Sequence, residues 1–185
     1  MDAYVSFVRT WPLASAALQF AVLGTLGEAA AAWLRERRFF VPFPARAALL
    51  KALGWSALAV CIKYAFAGFT AFVAGLSAKG LLPAQLGLFA FAFAVSLSMN
   101  LQFGPFLVIA HRLIDNGIDG RRNWTGIDRA LLSLLWFWVP AHTVTFMLPE
   151  DLRIGLAAVW SLALGVILGL YGRPAGAGEA VHERN

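Results

Sequence analysis

Five long apolar stretches alternate with short polar segments along this chain. A helix that crosses a membrane needs about 20 mostly apolar residues, and each stretch is close to that length. The predicted spans run from Pro12 to Leu34, from about Leu53 to Leu76, from Pro83 to about Ile109, from Ala130 to Leu148 and from about Leu152 to Tyr171. The pattern predicts an all-α, polytopic transmembrane helix bundle of one domain, residues 1–172, with a flexible C-terminal tail, residues 173–185.

Composition agrees with a membrane protein. Of the 185 residues, 60% are hydrophobic and 14% are charged, whereas soluble domains have about 45–50% apolar and about 25% charged residues. A soluble core could not bury so much apolar surface at this length. The net charge of +5 lies mostly in the segments between the spans. We therefore expect the lipid bilayer as partner and no nucleic acid.

Basic residues are divided unequally between the two sides of the predicted bundle. Eleven Lys and Arg residues fall on the side that holds the first and third connecting loops and the tail, and three fall on the opposite side. Because cytoplasmic loops carry the excess of Lys and Arg, the N-terminus is predicted outside and the C-terminus inside. The Ala/Gly-rich composition and the lack of a targeting segment favour a bacterial inner membrane.

Polar residues inside the spans are the main functional candidates, because an ionisable side chain in a bilayer is costly and marks a site by default. At 1.5 Å rise per residue, Glu28, Lys63, Asn100 and His142 reach similar depths on four different helices, and Gln102 lies near Asn100. These five residues form the predicted pore or polar centre. An ion or solute path is one interpretation. A buried Glu28–Lys63 pair that only holds two helices together is the other.

Two proline sites are predicted to bend helices. Gly104-Pro105 interrupts the third span and Pro140 interrupts the fourth, since proline removes a backbone donor. His142, which follows Pro140, is expected to satisfy freed backbone groups, and a proton relay is the alternative role. Residues 149–151, Pro-Glu-Asp, predict a tight reversal between the last two spans.

Small residues recur in the first and fifth spans. Gly24, Gly27 and Ala31 lie in the first, and Gly165 and Gly169 form a GxxxG pattern in the fifth. Small residues let helix backbones approach closely. The pattern predicts either tight packing inside the bundle or a homodimer face.

Metal and cofactor chemistry is not expected. The chain has one cysteine, Cys61, and His111 and His142 are predicted at different depths, which excludes a bis-histidine haem. No nucleophile–base pair or metal-ligand cluster is recognisable. We therefore expect no cofactor and no enzymatic activity.

Three blocks of sequence occur in an order that is found in a known family. The first block holds Pro12-Leu13 and Gly27-Glu28, the second holds Gly104-Pro105 and Asp115, and the third holds Trp138, Pro140, Phe146, Pro149, Arg153, Trp160-Ser161 and Leu164. Together they resemble the small peroxisomal and inner-mitochondrial membrane proteins named for the Mpv and Sym proteins. The family is usually drawn with four spans. The resemblance implies a small channel-like or homeostatic membrane protein and points to Gly27, Glu28, Gly104, Pro105, Asp115, Pro149 and Arg153.

The sequence thus predicts a channel- or transporter-like protein with a polar intramembrane centre. A non-catalytic accessory subunit or assembly factor of a larger membrane complex is the alternative. A homo-oligomer is compatible with either function.

Overall fold

The chain folds into helices throughout the described range. The computed structural model describes residues 2–171, and this range contains no strand. Its helices are α1 (Asp2–Thr10), α2 (Pro12–Glu36), α3 (Ala45–Ala78), α4 (Leu88–Gln102), α5 (Gly104–Asp119), α6 (Ile127–Ser133), α7 (Val139–Met147) and α8 (Glu150–Tyr171), with a π-helical turn (Leu134–Trp138) between α6 and α7. The all-α class is confirmed. The predicted tail, residues 173–185, lies outside the described residues.

Several helices have the length and composition of membrane spans. α2, α3 and the continuous run of α6, the π-helical turn and α7 each meet both requirements. α4 and α5 meet at an angle of 47° and supply a fourth span if the bent pair crosses as one. Over the described residues, α8 is not among these candidates. These helices are compatible with a multi-pass membrane protein, whereas the count of five spans and the orientation stay predictions.

α3 begins earlier than the hydropathy pattern predicts. It starts at Ala45 and not near Leu53, and its 34 residues correspond to about 51 Å of helix, longer than the roughly 30 Å hydrocarbon core. The extra turns contain mainly Ala, Leu, Arg and Lys, which are good helix formers. Arg46 and Lys51 lower the local hydropathy without ending the helix. Lys51, predicted in a connecting loop, is therefore a helical residue.

The third predicted span is two helices. Residues 83–87 are not helical, α4 begins at Leu88, and the helix breaks at Phe103. Gly104 is buried against Leu134, where an added Cβ would lie 2.8 Å from Leu134 Cδ2. Pro105 falls in the first turn of α5, where its missing N–H leaves no helical bond unmade. The break thus brings α5 close to the π-helical turn.

α2 lies between α3 and α8 and makes its largest contacts with these two helices. Gly27 packs on α8, where an added Cβ would lie 3.0 Å from the Ser161 carbonyl oxygen. Gly165 of α8 packs directly on the backbone of Gly27, and Gly24 packs on the ring of Trp55. These glycines of the predicted small-residue patterns are therefore used for contacts within one chain.

The reversal between α7 and α8 separates the last two apolar stretches, as the sequence predicts. α7 ends at Met147 and α8 begins at Glu150, with Pro149 in the turn. Arg153 Nε donates a hydrogen bond to the carbonyl oxygen of Leu148 at 3.0 Å. This bond satisfies a carbonyl group at the helix end.

A π-helical turn precedes Pro140. Pro140 cannot donate to the carbonyl oxygen of Trp136, four residues earlier, and the turn Leu134–Trp138 accommodates this loss with a wider backbone. Such turns occur often at functional sites. Here the turn and the bend between α4 and α5 face each other across the Gly104–Leu134 contact.

Candidate functional site

Four ionisable side chains from three helices meet inside the bundle. They are Glu28 of α2, Lys51 of α3, and His111 and Asp115 of α5, and we call them the ion cluster. Lys51 Nζ lies 2.7 Å from Glu28 Oε2 and 2.5 Å from Asp115 Oδ1. The Lys51 side chain is only 6% exposed. Because water solvates the ammonium group so little, the two carboxylates are the groups that stabilise its charge.

Both ring nitrogens of His111 face a carboxylate. Nε2 lies 3.3 Å from Glu28 Oε1, and Nδ1 lies 3.3 Å from Asp115 Oδ2. A neutral imidazole has one N–H and can donate to one of them, whereas an imidazolium donates to both. Trp55 Nε1 donates a further hydrogen bond to Glu28 Oε1 at 2.7 Å. The Glu28 carboxylate therefore contacts side chains of both α3 and α5.

Helical spacing explains why the side chains of the cluster from each helix lie on the same helix face. Lys51 and Trp55 are four residues apart on α3, and His111 and Asp115 are four residues apart on α5. Residues at this spacing lie on one face of a helix. Two such pairs therefore converge on the single carboxylate of Glu28.

Part of the cluster has the composition of a metal site. Ligand atoms of Glu28, His111 and Asp115 lie within 4.8 Å of one another. However, the Lys51 ammonium lies within hydrogen-bond distance of both carboxylates, so a metal ion would have to displace it. The donor set therefore fits an ion-pair cluster with lysine as its cation.

A cavity of about 290 Å³ extends from the ion cluster into the bundle. Glu28, His111 and Asp115 form part of its wall at one end, and Asn100 and His142 line it farther along. Most of the remaining wall is apolar, with five aromatic side chains, Phe20, Trp55, Phe66, Phe103 and Trp138. The cavity therefore has a charged end and an apolar body.

The two polar residues beyond the charged end are deeply buried. Asn100 is 3% exposed, and its Nδ2 donates to the Ser96 carbonyl oxygen at 2.8 Å. Ser96 Oγ donates to the Val139 carbonyl oxygen, also at 2.8 Å, which ties α4 to α7. His142 is 8% exposed and stacks on Trp138, and among the described residues its Nδ1 has no hydrogen-bond partner. Ser96 thus joins two helices and Asn100 bonds within its own helix, whereas His142 does not use its full hydrogen-bonding capacity.

Lys63 is not part of the site, which corrects the predicted Glu28–Lys63 pair. Glu28 pairs with Lys51, and Lys63 lies twelve residues later on α3, about 18 Å along the helix axis. Arg9, hydrogen-bonded to Asp151, holds the pKa of that carboxyl below its ordinary value, and the charge of Lys63 acts in the same direction. Lys63 therefore lies toward the Asp151 end of the bundle.

Gln102 also lies outside the site. It is exposed at the last position of α4 and is not on the cavity wall. Asn100, two residues earlier, is buried on the wall, because residues two apart on a helix point in different directions. Of the five predicted polar residues, the structure thus places Glu28, Asn100 and His142 around one cavity.

Sequence reasoning missed Lys51, Trp55 and His111 as site residues. The hydropathy pattern predicts a span that begins near Leu53, which leaves Lys51 in a loop, whereas α3 begins at Ala45. The four-residue spacing of His111 and Asp115 within α5 is a signal that could have identified them, since it places an acid and an imidazole on one helix face. Asp115 itself was indicated only by the family resemblance.

Comparisons with known proteins identify no relative: no protein-family model, curated protein or solved structure matches the chain.

Proposed function

We propose that this protein is a small channel- or transporter-like membrane protein whose cavity holds the passing solute. The observation that carries the proposal is the position of the ion cluster at one end of the cavity. Charges inside a bilayer are costly and are found where they face a bundle interior or a water-filled cavity. Four ionisable side chains from three helices meet here, and three of them, Glu28, His111 and Asp115, are on the cavity wall.

In the proposed mechanism, the bend between α4 and α5 is the part that moves. α5 carries His111 and Asp115, and it meets α4 at 47° next to Gly104. A rotation of α5 about this bend would separate Asp115 from Lys51 and His111 from Glu28. Hinges of this kind are a few residues at the ends of helices. In this mechanism the ion cluster closes one end of the cavity and its separation opens it.

We further propose the distant family relationship suggested by the sequence. Glu28 belongs to the first block of resemblance, and Gly104 and Asp115 belong to the second. In the structure Glu28 and Asp115 share Lys51 as their partner, and Gly104 lies at the bend that carries Asp115. Residues from two blocks of the resemblance thus contribute to one site. The five spans, the outside N-terminus and the bacterial inner membrane belong to the same proposal.

Solute flux from liposomes that contain the purified protein tests the function. The test variant is Glu28→Gln with Lys51→Met, which removes one negative and one positive charge together. Lys63→Met is the matched control, because it makes the same lysine substitution on the same helix away from the cavity. We expect the double variant to change the flux at least tenfold and the control to behave like the wild type. Circular dichroism establishes that each variant is folded.

Two results would contradict the proposal. Equal flux in the wild type, the double variant and the control would show that transport does not depend on the ion cluster. No flux from the wild-type protein would favour the alternative function, an accessory subunit or assembly factor, which predicts co-purification with a larger membrane complex.

A further inference from the structure

An exposed basic segment, residues 35–46, joins α2 to α3, and we call it the arginine loop. It contains one acid, Glu36, and four exposed arginines, namely Arg35, Arg37, Arg38 and Arg46. Within the described residues, none of these arginines forms a salt bridge. The positive charge of the loop is therefore not neutralised by the described part of the chain.

The end of the loop next to α2 has a defined shape. The backbone of Arg37 is left-handed, with φ of 52°, and the N–H groups of Arg37 and Arg38 donate to the Trp33 carbonyl oxygen. The Trp33 indole Nε1 donates to the Phe40 carbonyl oxygen at 2.6 Å. The Trp33 ring also contacts the ring of Phe39, and the two centroids are 5.4 Å apart. The chain therefore folds back over the last turn of α2 and presents two adjacent arginines there.

Exposed apolar side chains accompany the arginines. Phe39 is 88% exposed and Val41 is 85% exposed. Both lie beyond the end of α2 and thus outside the apolar span that the sequence predicts as far as Leu34. Exposed apolar surface marks an interaction site, and its combination with Lys or Arg is typical of elements that lie in the membrane interface. The loop therefore has the composition of a segment that contacts lipid.

The first turns of α3 continue this surface toward the membrane. Arg46, Leu49 and Leu53 recur at three- and four-residue spacing, which places them on one face of the helix. Leu49 is 61% exposed and Leu53 is 56% exposed. Because the apolar span is predicted to begin near Leu53, Arg46 lies about 10 Å outside it. A phospholipid has the same order of groups, with a phosphate at the membrane surface and acyl chains below it.

Charge determines which phospholipid fits this surface. Basic clusters beside a membrane span attract anionic headgroups, and each Lys or Arg near the surface increases affinity about fivefold. The guanidinium group also donates paired hydrogen bonds to phosphate oxygens. The guanidinium carbon of Arg38 lies 5.2 Å from the centroid of the Phe40 ring, a contact that positions the group without neutralising it. The loop therefore favours a lipid whose head has a net negative charge.

We propose that the arginine loop and the adjoining face of α3 bind an anionic phospholipid. Its phosphate accepts hydrogen bonds from Arg37 and Arg38, Phe39 enters the boundary of the acyl region, and the acyl chains pack along Leu49 and Leu53. None of these residues is on the cavity wall. The inference is therefore independent of solute transport through the cavity.

Native mass spectrometry of the full chain in detergent tests the site, because it resolves the binding of single lipids. The lipid probes are phosphatidylglycerol and phosphatidylcholine with identical acyl chains, which differ in the net charge of the head. Soluble glycerol phosphate, which has an anionic head and no acyl chain, is the third probe. We expect the first phosphatidylglycerol to bind at least tenfold more tightly than either of the other two probes.

Substitutions locate the binding. Arg37→Gln with Arg38→Gln should weaken phosphatidylglycerol binding at least tenfold and leave phosphatidylcholine binding unchanged. Arg121→Gln with Arg122→Gln is the matched control, because these two arginines are also adjacent and exposed. The control removes the same charge from another loop and should keep the preference for phosphatidylglycerol.

Two further variants complete the test. Arg35→Gln with Arg46→Gln changes two helical positions of the same loop and provides the charge test if the first variant does not fold. Phe39→Gln removes the most exposed large apolar side chain of the loop and should weaken binding of both lipids. Circular dichroism establishes that each variant is folded.

Three results would overturn the inference. Equal affinity for the two lipids would show that the site does not recognise a negative head. Equal affinity for glycerol phosphate and phosphatidylglycerol would show a phosphate site that does not use the acyl chains. Equal losses from the two arginine pairs would show that the net charge of the protein, and not the arginine loop, attracts the lipid.

Discussion

Two lysines on the same helix, Lys51 and Lys63 of α3, differ in burial and in ion pairing. Lys51 lies in the first turns of α3, is 6% exposed and contacts carboxylates from α2 and α5. Lys63 lies three turns later, is partly exposed and forms no salt bridge within the described residues. Lys51 therefore links three helices, α2, α3 and α5, through its ion pairs. Lys63 extends its charge toward the Asp151 end, as long basic side chains do when their stems pack along apolar surface.

The difference arises from the surrounding helices and not from the local sequence. Hydropathy around Lys63 is higher than around Lys51, so Lys63 looks like the more costly charge. The cost of a buried charge, however, depends on whether a partner is positioned for it. α2 and α5 position Glu28 and Asp115 at the level of Lys51. A buried lysine is therefore better identified by acids at matching depth on other helices than by the apolarity of its own stretch.

Removing each lysine in turn is the strongest test of this comparison. Lys51→Met would leave two carboxylates without their ammonium and should destabilise the protein by about 3–5 kcal/mol, as expected when one partner of a buried pair is removed. Lys63→Met should change stability by less than about 0.5 kcal/mol, as for most surface substitutions. Unfolding in mixed micelles with increasing SDS measures both. A larger effect at Lys63 would reverse the comparison.

Much of the fold could be predicted from the sequence because hydropathy and helix breakers act locally. The apolar stretches, the break at Gly104-Pro105 and the reversal at Pro149 all follow from such signals. The beginning of α3 could not be predicted in this way, since residues 45–52 combine good helix formers with basic residues. That error moved Lys51 into a loop and left Lys63 as the apparent partner of Glu28.

The candidate site was predicted only in part for a related reason. Depth in the bilayer predicts Glu28, Asn100 and His142, but depth alone does not determine which face of a helix contacts which neighbour. The convergence of Trp55 and His111 on Glu28 depends on the rotation and tilt of three helices. Those properties are set by packing, for example by Gly24 against the ring of Trp55, and no single stretch of sequence encodes them.

Two aromatic residues extend the comparison to hydrogen bonding. Trp55→Phe keeps a ring beside Lys51 but removes the donor to Glu28 Oε1, and it should cost about 1.5–3 kcal/mol, the range for hydrogen bonds to charged groups. Tyr64→Phe, beside Lys63, removes the hydroxyl of a side chain that is 64% exposed and should be nearly neutral. The same SDS unfolding measures both. Equal losses would show that the hydrogen bond to Glu28 is not a special feature of the Lys51 region.

Two glycines of α3 compare packing density in the same two regions. At Gly68 an added Cβ meets nothing within 4 Å, whereas at Gly54 it would lie 2.7 Å from Ile114 Cγ2. Gly68→Ala should therefore stabilise the protein by up to about 1 kcal/mol through helix propensity. Gly54→Ala should gain less or lose stability, because Ile114 must move. A larger gain from Gly54→Ala in SDS unfolding would contradict the tighter packing near Lys51.

The smallest expected effect concerns Asp151, which lies outside the predicted spans, at the end of the bundle toward which Lys63 points. Arg9 Nη2 lies 2.6 Å from Asp151 Oδ2, and the hydrogen bond from Arg9 lowers the pKa of Asp151. Because the folded pKa is the lower one, this contribution to stability is complete above the unfolded carboxyl pKa of about 3.9 and is lost as the pH falls through the folded value. Arg9→Gln should raise the pKa of Asp151, and Lys63→Met should raise it less, as followed by carbon-13 NMR of the carboxyl group. A larger rise in Lys63→Met would make Asp151 the true partner of Lys63 and would show that both lysines of α3 depend on an acid from another helix.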